Sequence, residues 1–379
     1  MHILAQIWNS IQRSLFPNLE EELGPLTDKQ QDLVAILELV RIEEFARTPW
    51  SWTGRPAHRR APLARAFVAK AVYHLPTTRA LIDLLQATPA LRRICGWENR
   101  RDLPDEATFS RTFAEFANSE LPQRVHAALI EKYQKPRLVG HVSRDSLAIA
   151  GRERAAPKPQ NQERPAPKKR GRPLKGEARP APEPTRLERQ ASGAMTLAEM
   201  VRELPTACDW GCKKNSQGKV EQWKGYKFHL DWGDGMIPVS ALLTSASVHD
   251  SQVAIPLALT TMRRVTSLYD LMDAAYDAPP IRAVSLALGH VPLIDRNFRS
   301  NSAAREDDAG ERSRLALVGH TLPEQARYHE RTNAERGNGR LRDEFGADTV
   351  RVRGPVKVAA HLWFGLLALA ADALLRLVR

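Results

Sequence analysis

Residues 223–246 read WKGYKFHLDWGDGMIPVSALLTSA and contain the clearest strand pattern of the chain. The first half alternates between apolar and polar residues, which is the period of β-strands that bury one face, and the second half is a largely apolar run. Gly233-Asp234-Gly235 between them is a turn signal. The stretch therefore predicts two neighbouring strands, Trp223–Trp232 and Met236–Ala246.

On either side of this pair, strand and helix patterns alternate. A first strand, Leu138–Ser143, precedes the pair and ends at Asp145. After the pair come a helix, a strand, a helix and a strand, at Asp250–Arg263, Leu268–Met272, Pro280–Leu288 and His290–Ile294. This order predicts an α/β domain over residues 136–379, with a mixed five-stranded sheet flanked by helices.

Composition excludes several classes of protein. The 379 residues are 42% hydrophobic, as in globular proteins, and three cysteines are too few for a disulfide framework, which favours a reducing cytoplasm. Lys and Arg number 56 against 44 Asp and Glu, and the net charge of +12 favours a polyanionic partner. No signal peptide is predicted. The apolar run Val358–Leu377 contains His361, Asp372 and Arg376, so it is predicted to be a buried core helix and not a membrane span.

Residues 151–190 interrupt the α/β pattern. They contain eight prolines and 12 Lys or Arg against five Glu, a net charge of +7. Such a segment cannot bury enough apolar surface to offset its chain entropy, so we expect a disordered basic insert. Within it, Lys168–Pro173 (KKRGRP) resembles the AT-hook, whose arginines enter a narrow minor groove. Candidate DNA contacts are therefore Lys169, Arg170 and Arg172, with non-specific attraction to phosphates as the alternative.

The N-terminal part of the chain is predicted to be helical. Residues 1–29 have the spacing of an amphipathic segment, and residues 30–135 have that of a helical domain. Two short helices around Gly96 and Pro104 resemble a helix-turn-helix in outline. The second helix carries two candidate DNA contacts, Ser110 and Arg111. An ordinary helical bundle with a solvated basic face is the alternative.

Three acidic residues lie at related points of the α/β pattern. Asp145 ends the first strand, Asp273 ends the fourth, and Glu335 lies in a helical pattern after the fifth. Chemistry in an open α/β sheet gathers at the carboxyl ends of neighbouring strands, and strands one and four are neighbours in the order 3-2-1-4-5. Clustered carboxylates repel each other unless divalent cations neutralise them. Two Mg²⁺ ions could then act on a phosphodiester, with Mn²⁺ able to substitute. The alternative is that these are ordinary acidic turn residues.

The segment from Tyr328 to Arg342 resembles the Tyr-Arg-Glu-Lys signature of bacterial insertion-sequence DDE transposases. That signature separates its four residues by two, three and six positions; Tyr328, Arg331 and Glu335 match it, and Arg342 replaces the final Lys. Residues 142–146 and 271–277 resemble the two aspartate motifs of the family, although Ala275 stands where the family commonly has Gly. Further stretches resemble its intervening strands and the helical DNA-binding domain that often precedes them, at residues 224–229, 246–250 and 75–116.

The resemblance implies an RNase H-like catalytic core preceded by an all-α DNA-binding domain. It implies that two Mg²⁺ ions are held by Asp145, Asp273 and Glu335. The residues that it implies for DNA contact are Tyr328, Arg331 and Arg342. The implied reaction is cleavage of double-stranded DNA at the element's ends and transfer of the 3′-OH into target DNA, carried out by a homodimer at the nucleoid, in the bacterial cytoplasm. Two alternatives stay open: a nuclease that cuts without joining, and a non-catalytic DNA-binding regulator.

Local alternatives to these assignments follow from the residues themselves. Asp277 is a rival to Asp273 as the second ligand, although its position beyond the strand end favours Asp273. The basic residues of the signature could instead form surface ion pairs with Glu330 or Glu344. A zinc site at Cys208, Cys212 and His229 is a further alternative, but it has only one cysteine pair and most such sites need four ligands.

Overall fold

The computed structural model describes residues 25–49, 57–157, 183–214, 218–298 and 301–377. The predicted amphipathic segment lies outside the described residues up to position 24. The same holds for the AT-hook-like stretch with Lys169, Arg170 and Arg172.

Helices form the N-terminal part of the described chain, and a six-stranded sheet with further helices forms the rest. The N-terminal helices are α1 Asp28–Val40, α2 Arg60–Val72, α3 Thr78–Ala87, α4 Pro89–Cys95, α5 Glu106–Asn118 and α6 Leu121–Tyr133. The strands are β1 Leu138–Ala150, β2 Asp209–Lys214, β3 Val220–Gly233, β4 Ile237–Ser245, β5 Thr266–Met272 and β6 Val291–Ile294. The later helices are α7 Arg186–Ala191, α8 Leu197–Arg202, α9 Ser251–Met262, α10 Pro279–Ala287, α11 Ser302–Leu317, α12 Pro323–Tyr328, α13 Thr332–Asp343 and α14 Pro355–Arg376.

Local capping signals set the ends of the N-terminal helices. The Thr77 hydroxyl accepts a hydrogen bond from the Ala80 amide at 3.0 Å, at the start of α3, and the Asp105 carboxylate accepts one from the Thr108 amide at 2.8 Å, at the start of α5. Gly96 ends α4 with a φ of 106°, in the left-handed region. Two helices, α4 and α5, lie where the sequence predicts a helix-turn-helix outline, and residues 96–105, which include a 3₁₀ turn at Arg100–Asp102, connect them.

The sheet has the order β4-β3-β1-β5-β6, with β2 paired to the first half of β3. Strands β1, β3 and β4 are antiparallel neighbours, whereas β5 is parallel to β1 and β6 is parallel to β5. Apart from β2, this is the predicted order 3-2-1-4-5. The sequence predicts five strands and misses β2, because its residues DWGCKK are largely polar and do not alternate.

Strand β1 is longer than predicted, so the prediction that Asp145 ends it is wrong. Its parallel pairing with β5 stops at Arg144, opposite Met272, but its antiparallel pairing with β3 continues to Ala150. The polar triplet Arg144-Asp145-Ser146 interrupts the apolar pattern and hides the second half of the strand. Asp145 therefore follows the end of the parallel pairing, inside a continuous strand.

The basic insert is shorter than predicted at its C-terminal end. Residues 186–191 form α7, in which Leu187 and Gln190 are buried. This helix packs against α9 and α10, and Thr185 caps it through a reciprocal bond pattern with Glu188. The prediction of disorder rests on the average composition of residues 151–190, which hides the single apolar residue Leu187 that α7 buries. Most of the insert, residues 158–182, lies outside the described residues.

Helix α14 connects the helical region to the sheet. It packs against α1, α2, α5, α6 and β4, and the Phe364 ring lies 5.7 Å from that of Phe67. By length and composition α14 could cross a membrane, but 83% of its most apolar window is buried inside the protein. It is a core helix, as predicted, and it joins the helical region and the sheet in one apolar core.

Candidate active site

Asp145 and Asp273 lie side by side at the end of the parallel β1–β5 pairing. The last paired residues are Arg144 and Met272, so Asp145 is the next residue of β1 and Asp273 directly follows β5. Asp145 Oδ1 accepts a hydrogen bond from the Ser146 amide at 2.8 Å, and Asp273 Oδ1 accepts one from the Ala275 amide at 2.9 Å. Two of the three predicted acids are therefore together.

The surroundings of this pair disfavour two negative charges. Burial raises the pKa of Asp145 to about 6, and the negative charge of Asp273 adds to the increase. Burial also raises the pKa of Asp273, and the charge of Asp250 adds to it. The guanidinium of Arg331 lowers both values but does not outweigh burial. A bound cation would therefore favour the ionised form of both carboxylates.

Asp277, the rival second ligand, is engaged elsewhere. Its Oδ1 lies 2.8 Å from Arg282 Nη2, and its Oδ2 accepts a hydrogen bond from the Asn297 amide at 2.9 Å. These bonds tie Asp277 to α10 and to the segment after β6. Asp273 is the acid that lies beside Asp145.

Asp250 is a fourth acid near Asp145 and Asp273, and it is not among the predicted site residues. Asp250 directly precedes α9, but its side chain makes no capping bond to that helix. Its Oδ1 instead accepts a hydrogen bond from Lys227 Nζ at 3.0 Å, because β3 brings this ammonium group alongside it. Its charge nevertheless reaches both aspartates and raises their pKa values.

Glu335, the third predicted acid, lies on α13 with its carboxylate turned to Arg331. Glu335 Oε1 lies 2.7 Å from Arg331 Nη2, and the side chain is 55% exposed. The opposite face of α13 is buried against β1 and β3. Within the described parts of the chain, no three His, Cys, Asp or Glu side chains are grouped closely enough to hold a metal ion. The structure thus brings Asp145 and Asp273 together but leaves Glu335 in an ion pair.

Arg331 links the signature helix to the two aspartates. Its guanidinium lies over the Tyr328 ring, 5.8 Å from the centroid, and it interacts electrostatically with Asp145 and Asp273. The signature spans α12, a 3₁₀ turn at His329–Arg331 and α13, all with helical backbone angles. Arg331 therefore contacts both Tyr328 and Glu335.

The surface ion pairs of this helix differ from the predicted alternatives. Arg331 pairs with Glu335 and not with Glu330. Glu344 pairs with Arg340, at 2.7 Å, and Arg340 also binds Asp372 at 2.6 Å. Arg342 is exposed on α13, so its cation faces solvent near the end of the helix.

Asn338 is a buried polar residue of the site that the sequence analysis misses. Its Nδ2 donates a hydrogen bond to Asp145 Oδ2 at 2.9 Å, and its Oδ1 accepts one from Trp232 Nε1 at 3.2 Å. It lies one helical turn after Glu335. That spacing is the only signal in the sequence that could have singled it out.

The donor chemistry of Asp145 and Asp273 fits a hard divalent cation. Oxygen ligands are those that Mg²⁺ prefers, and two adjacent carboxylates with raised pKa values are stabilised when a cation binds. Each Asp145 oxygen accepts one hydrogen bond and retains an acceptor position. Glu335 would have to leave Arg331 before it could join them.

The remaining predicted residues are two candidate DNA contacts on α5 and the cysteines of the zinc alternative. Ser110 and Arg111 are exposed on α5, where Arg111 Nη2 donates a hydrogen bond to the Thr108 hydroxyl at 3.1 Å. The zinc alternative finds no support within the described residues, since Cys208 is buried while Cys212 is exposed.

Two family models match the chain. One, described as "Transposase DDE domain", matches residues 188–371, and the other, described as "Transposase domain (DUF772)", matches residues 19–115. The first match includes Asp273 and Glu335, while Asp145 lies between the two matched regions. No curated protein and no solved structure matches the chain.

Proposed function

The chain belongs to the insertion-sequence DDE transposases, and we propose that it cuts DNA at the ends of its element and joins each freed 3′-OH to target DNA. The observation that carries this proposal is the side-by-side position of Asp145 and Asp273, two carboxylates in surroundings that favour a bound cation. Glu335 on the helix that crosses over them is the proposed third ligand.

The family requires a divalent metal, and we propose Mg²⁺, as two ions, with Mn²⁺ able to substitute. Bound at Asp145, Asp273 and Glu335, such ions would activate an attacking oxygen and stabilise a leaving one. The chain's own task is to orient these carboxylates and to hold DNA phosphates against them. Arg331 suits the second role, because its guanidinium interacts with the charges of both aspartates and could also bind a phosphate.

The chemistry has two balanced steps. In the first, water attacks a phosphorus atom at the element's end, the bond from phosphorus to the 3′ oxygen breaks, and a 3′-OH is released. In the second, this 3′-OH attacks a phosphorus atom of the target, and the target's own 3′ oxygen leaves. One phosphodiester forms for each that breaks in the second step, so joining needs no external energy source.

DNA contacts are proposed on both parts of the chain. Ser110 and Arg111 are exposed on α5 and suit contact with the element's ends. Tyr328, Arg331 and Arg342 would contact DNA near the reacting phosphate. The AT-hook-like residues Lys169, Arg170 and Arg172 would add minor-groove or phosphate attraction. The active complex is proposed to be a homodimer on nucleoid DNA in the bacterial cytoplasm.

The proposal is tested with the full chain and a plasmid that carries the sequences flanking the gene. With Mg²⁺ present, we expect Asp145→Asn, Asp273→Asn and Glu335→Gln each to abolish strand cleavage while binding of the flanking DNA persists. Asp277→Asn is the matched control, since that carboxylate is bound to Arg282 and should not be needed. Full-rate cleavage by any of the three variants would remove that residue from the site.

A second assay separates transposition from cutting alone. A precut end with a free 3′-OH is supplied with a target plasmid, and joined product is measured on a gel. We expect joining that requires the same three acids. Cleavage without joined product would favour a nuclease, and binding without either reaction would favour a regulator.

A further inference from the structure

Asn338 is one of the few polar side chains buried in the face of α13 that packs on the sheet. It is 7% exposed, and both ends of its amide are used. The amino group donates to Asp145 Oδ2, at 2.9 Å, while the oxygen accepts from the indole of Trp232, at 3.2 Å. One side chain thus connects the signature helix, β3 and the first acid of the site.

Only one orientation of the amide satisfies both neighbours. The indole N–H can only donate, so it requires the amide oxygen. An ionised carboxylate can only accept, so it requires the amide NH₂. Trp232 is fully buried and cannot turn away, and it therefore fixes which end of Asn338 faces Asp145.

The helix itself is held against the same tryptophan. A Cβ atom at Gly337 would lie 2.6 Å from the Trp232 ring, so this position requires glycine for close approach. Ala334 and Leu341 are fully buried on the same face. The position of α13, and with it the position of Glu335 three residues before Asn338, depends on this contact.

We propose that Asn338, oriented by Trp232, is a positioning residue that sets the Asp145 carboxylate for cation binding. This rests on the proposed function, because it assigns Asp145 to the metal site. The hydrogen bonds from Asn338 and from the Ser146 amide each occupy one acceptor position on a different oxygen of Asp145. They fix the rotamer of Asp145 and leave one acceptor position on each oxygen for the cation.

The test is calorimetric titration of the full chain with Ca²⁺, a hard divalent cation that reports binding without turnover. For Asn338→Leu, which removes the bond but keeps the volume, we expect affinity to fall about 10- to 100-fold, as for other residues that orient a metal ligand. Asn338→Ser, which is too short to bridge the two neighbours, should behave in the same way if the leucine variant fails to fold. Trp232→Phe should also weaken binding, and combining it with Asn338→Leu should add little, because both act through one amide.

The matched control is Asn333→Leu, on the same helix, whose amide binds the Glu330 carboxylate at 2.9 Å and not an aspartate of the site. It should leave Ca²⁺ affinity unchanged. If folded Asn338 variants bind Ca²⁺ as tightly as the wild type while Asp145→Asn does not bind, the positioning role is wrong and the metal site stands. If the wild type itself binds no divalent cation, with or without DNA, the proposed function fails as well.

Discussion

Arg331 Nη2 lies 2.7 Å from Glu335 Oε1, in an ion pair between residues one helical turn apart. The same guanidinium interacts with the charges of Asp145 and Asp273. Arg331 therefore neutralises all three acids of the proposed site to some degree. Its positive charge therefore competes with any cation that binds these carboxylates.

This arrangement predicts opposite effects of Arg331→Met on metal binding and on cleavage. Without Arg331, Glu335 is free and the aspartates lose a competing cation, so Ca²⁺ should bind several-fold more tightly, corresponding to ~1 kcal/mol for an exposed pair. Cleavage of the flanking DNA should fall, because a phosphate contact is lost. Calorimetry and a gel assay measure the two effects.

Arg336→Met is the matched control, because Arg336 is exposed on the same helix. It removes the same charge from α13 without touching Glu335. If both variants change Ca²⁺ affinity equally, the effect belongs to net charge and not to the ion pair.

The raised pKa of Asp145 predicts how the stability of the metal-free protein depends on pH. The folded protein holds this proton up to about pH 6, whereas an unfolded aspartate releases it near 3.8. The folded state therefore binds more protons between these values, and the free energy of unfolding should fall as pH rises from 4 to 6. Denaturant unfolding at several pH values in this range should show the decrease in the free energy of unfolding. The decrease should be smaller in Asp145→Asn.

At neutral pH, added Mg²⁺ should restore the free energy of unfolding that is lost when the pH rises. A ligand that binds only the folded state stabilises it, and at a hundredfold excess over Kd the melting temperature should rise by roughly 5 °C. Asp273→Asn should lose the response, while Asp277→Asn should keep it. An equal rise in all three proteins would place the cation elsewhere.

Local patterns were enough to place Asp145 and Asp273 at or near the ends of strand patterns, and the order 3-2-1-4-5, which makes those strands neighbours, is the one that the structure has. Strand-end position was enough to choose Asp273 over Asp277. The carboxylate of Glu335 could not be placed in the same way, since its ion pair with Arg331 depends on side-chain geometry at a helix surface. The role of Asn338 could not be predicted for a related reason: it depends on contacts with β1 and β3, more than 100 positions earlier in the chain.

Glu38 predicts a second pH effect, remote from the site. It is 3% exposed, and both of its carboxylate oxygens lack a hydrogen-bond partner within the described residues. Burial raises its pKa to about 7, against an ordinary value of 4.5. The free energy of unfolding should therefore fall as pH rises from 4.5 to 7.

Glu38→Gln tests this, because it removes the charge and keeps the shape. At pH 8 the variant should be more stable than the wild type, by on the order of 1 kcal/mol, and the difference should shrink at pH 5. Urea unfolding at the two pH values measures it. A constant difference would mean that Glu38 has the same pKa in the folded and unfolded states.

Substitution by alanine should have opposite effects on stability at two glycines of α13, Gly337 and Gly339. Gly337→Ala would place a methyl group 2.6 Å from the Trp232 ring, so the helix must shift away from β3. We expect a loss of roughly 1–3 kcal/mol in the free energy of unfolding, as in other overpacked cores. Because Asn338 moves with the helix, Ca²⁺ affinity should fall as well.

Gly339→Ala is the matched control, two residues further along the same helix. Nothing lies within 4 Å of a Cβ atom at this position, so alanine should stabilise the helix by up to ~1 kcal/mol through its higher helix propensity. Both variants replace glycine with alanine on the same helix, so the difference between their free energies of unfolding in urea reports the contact with Trp232. If Gly337→Ala is also stabilising, α13 does not lie against Trp232, and the bond from Asn338 to Asp145 loses its support.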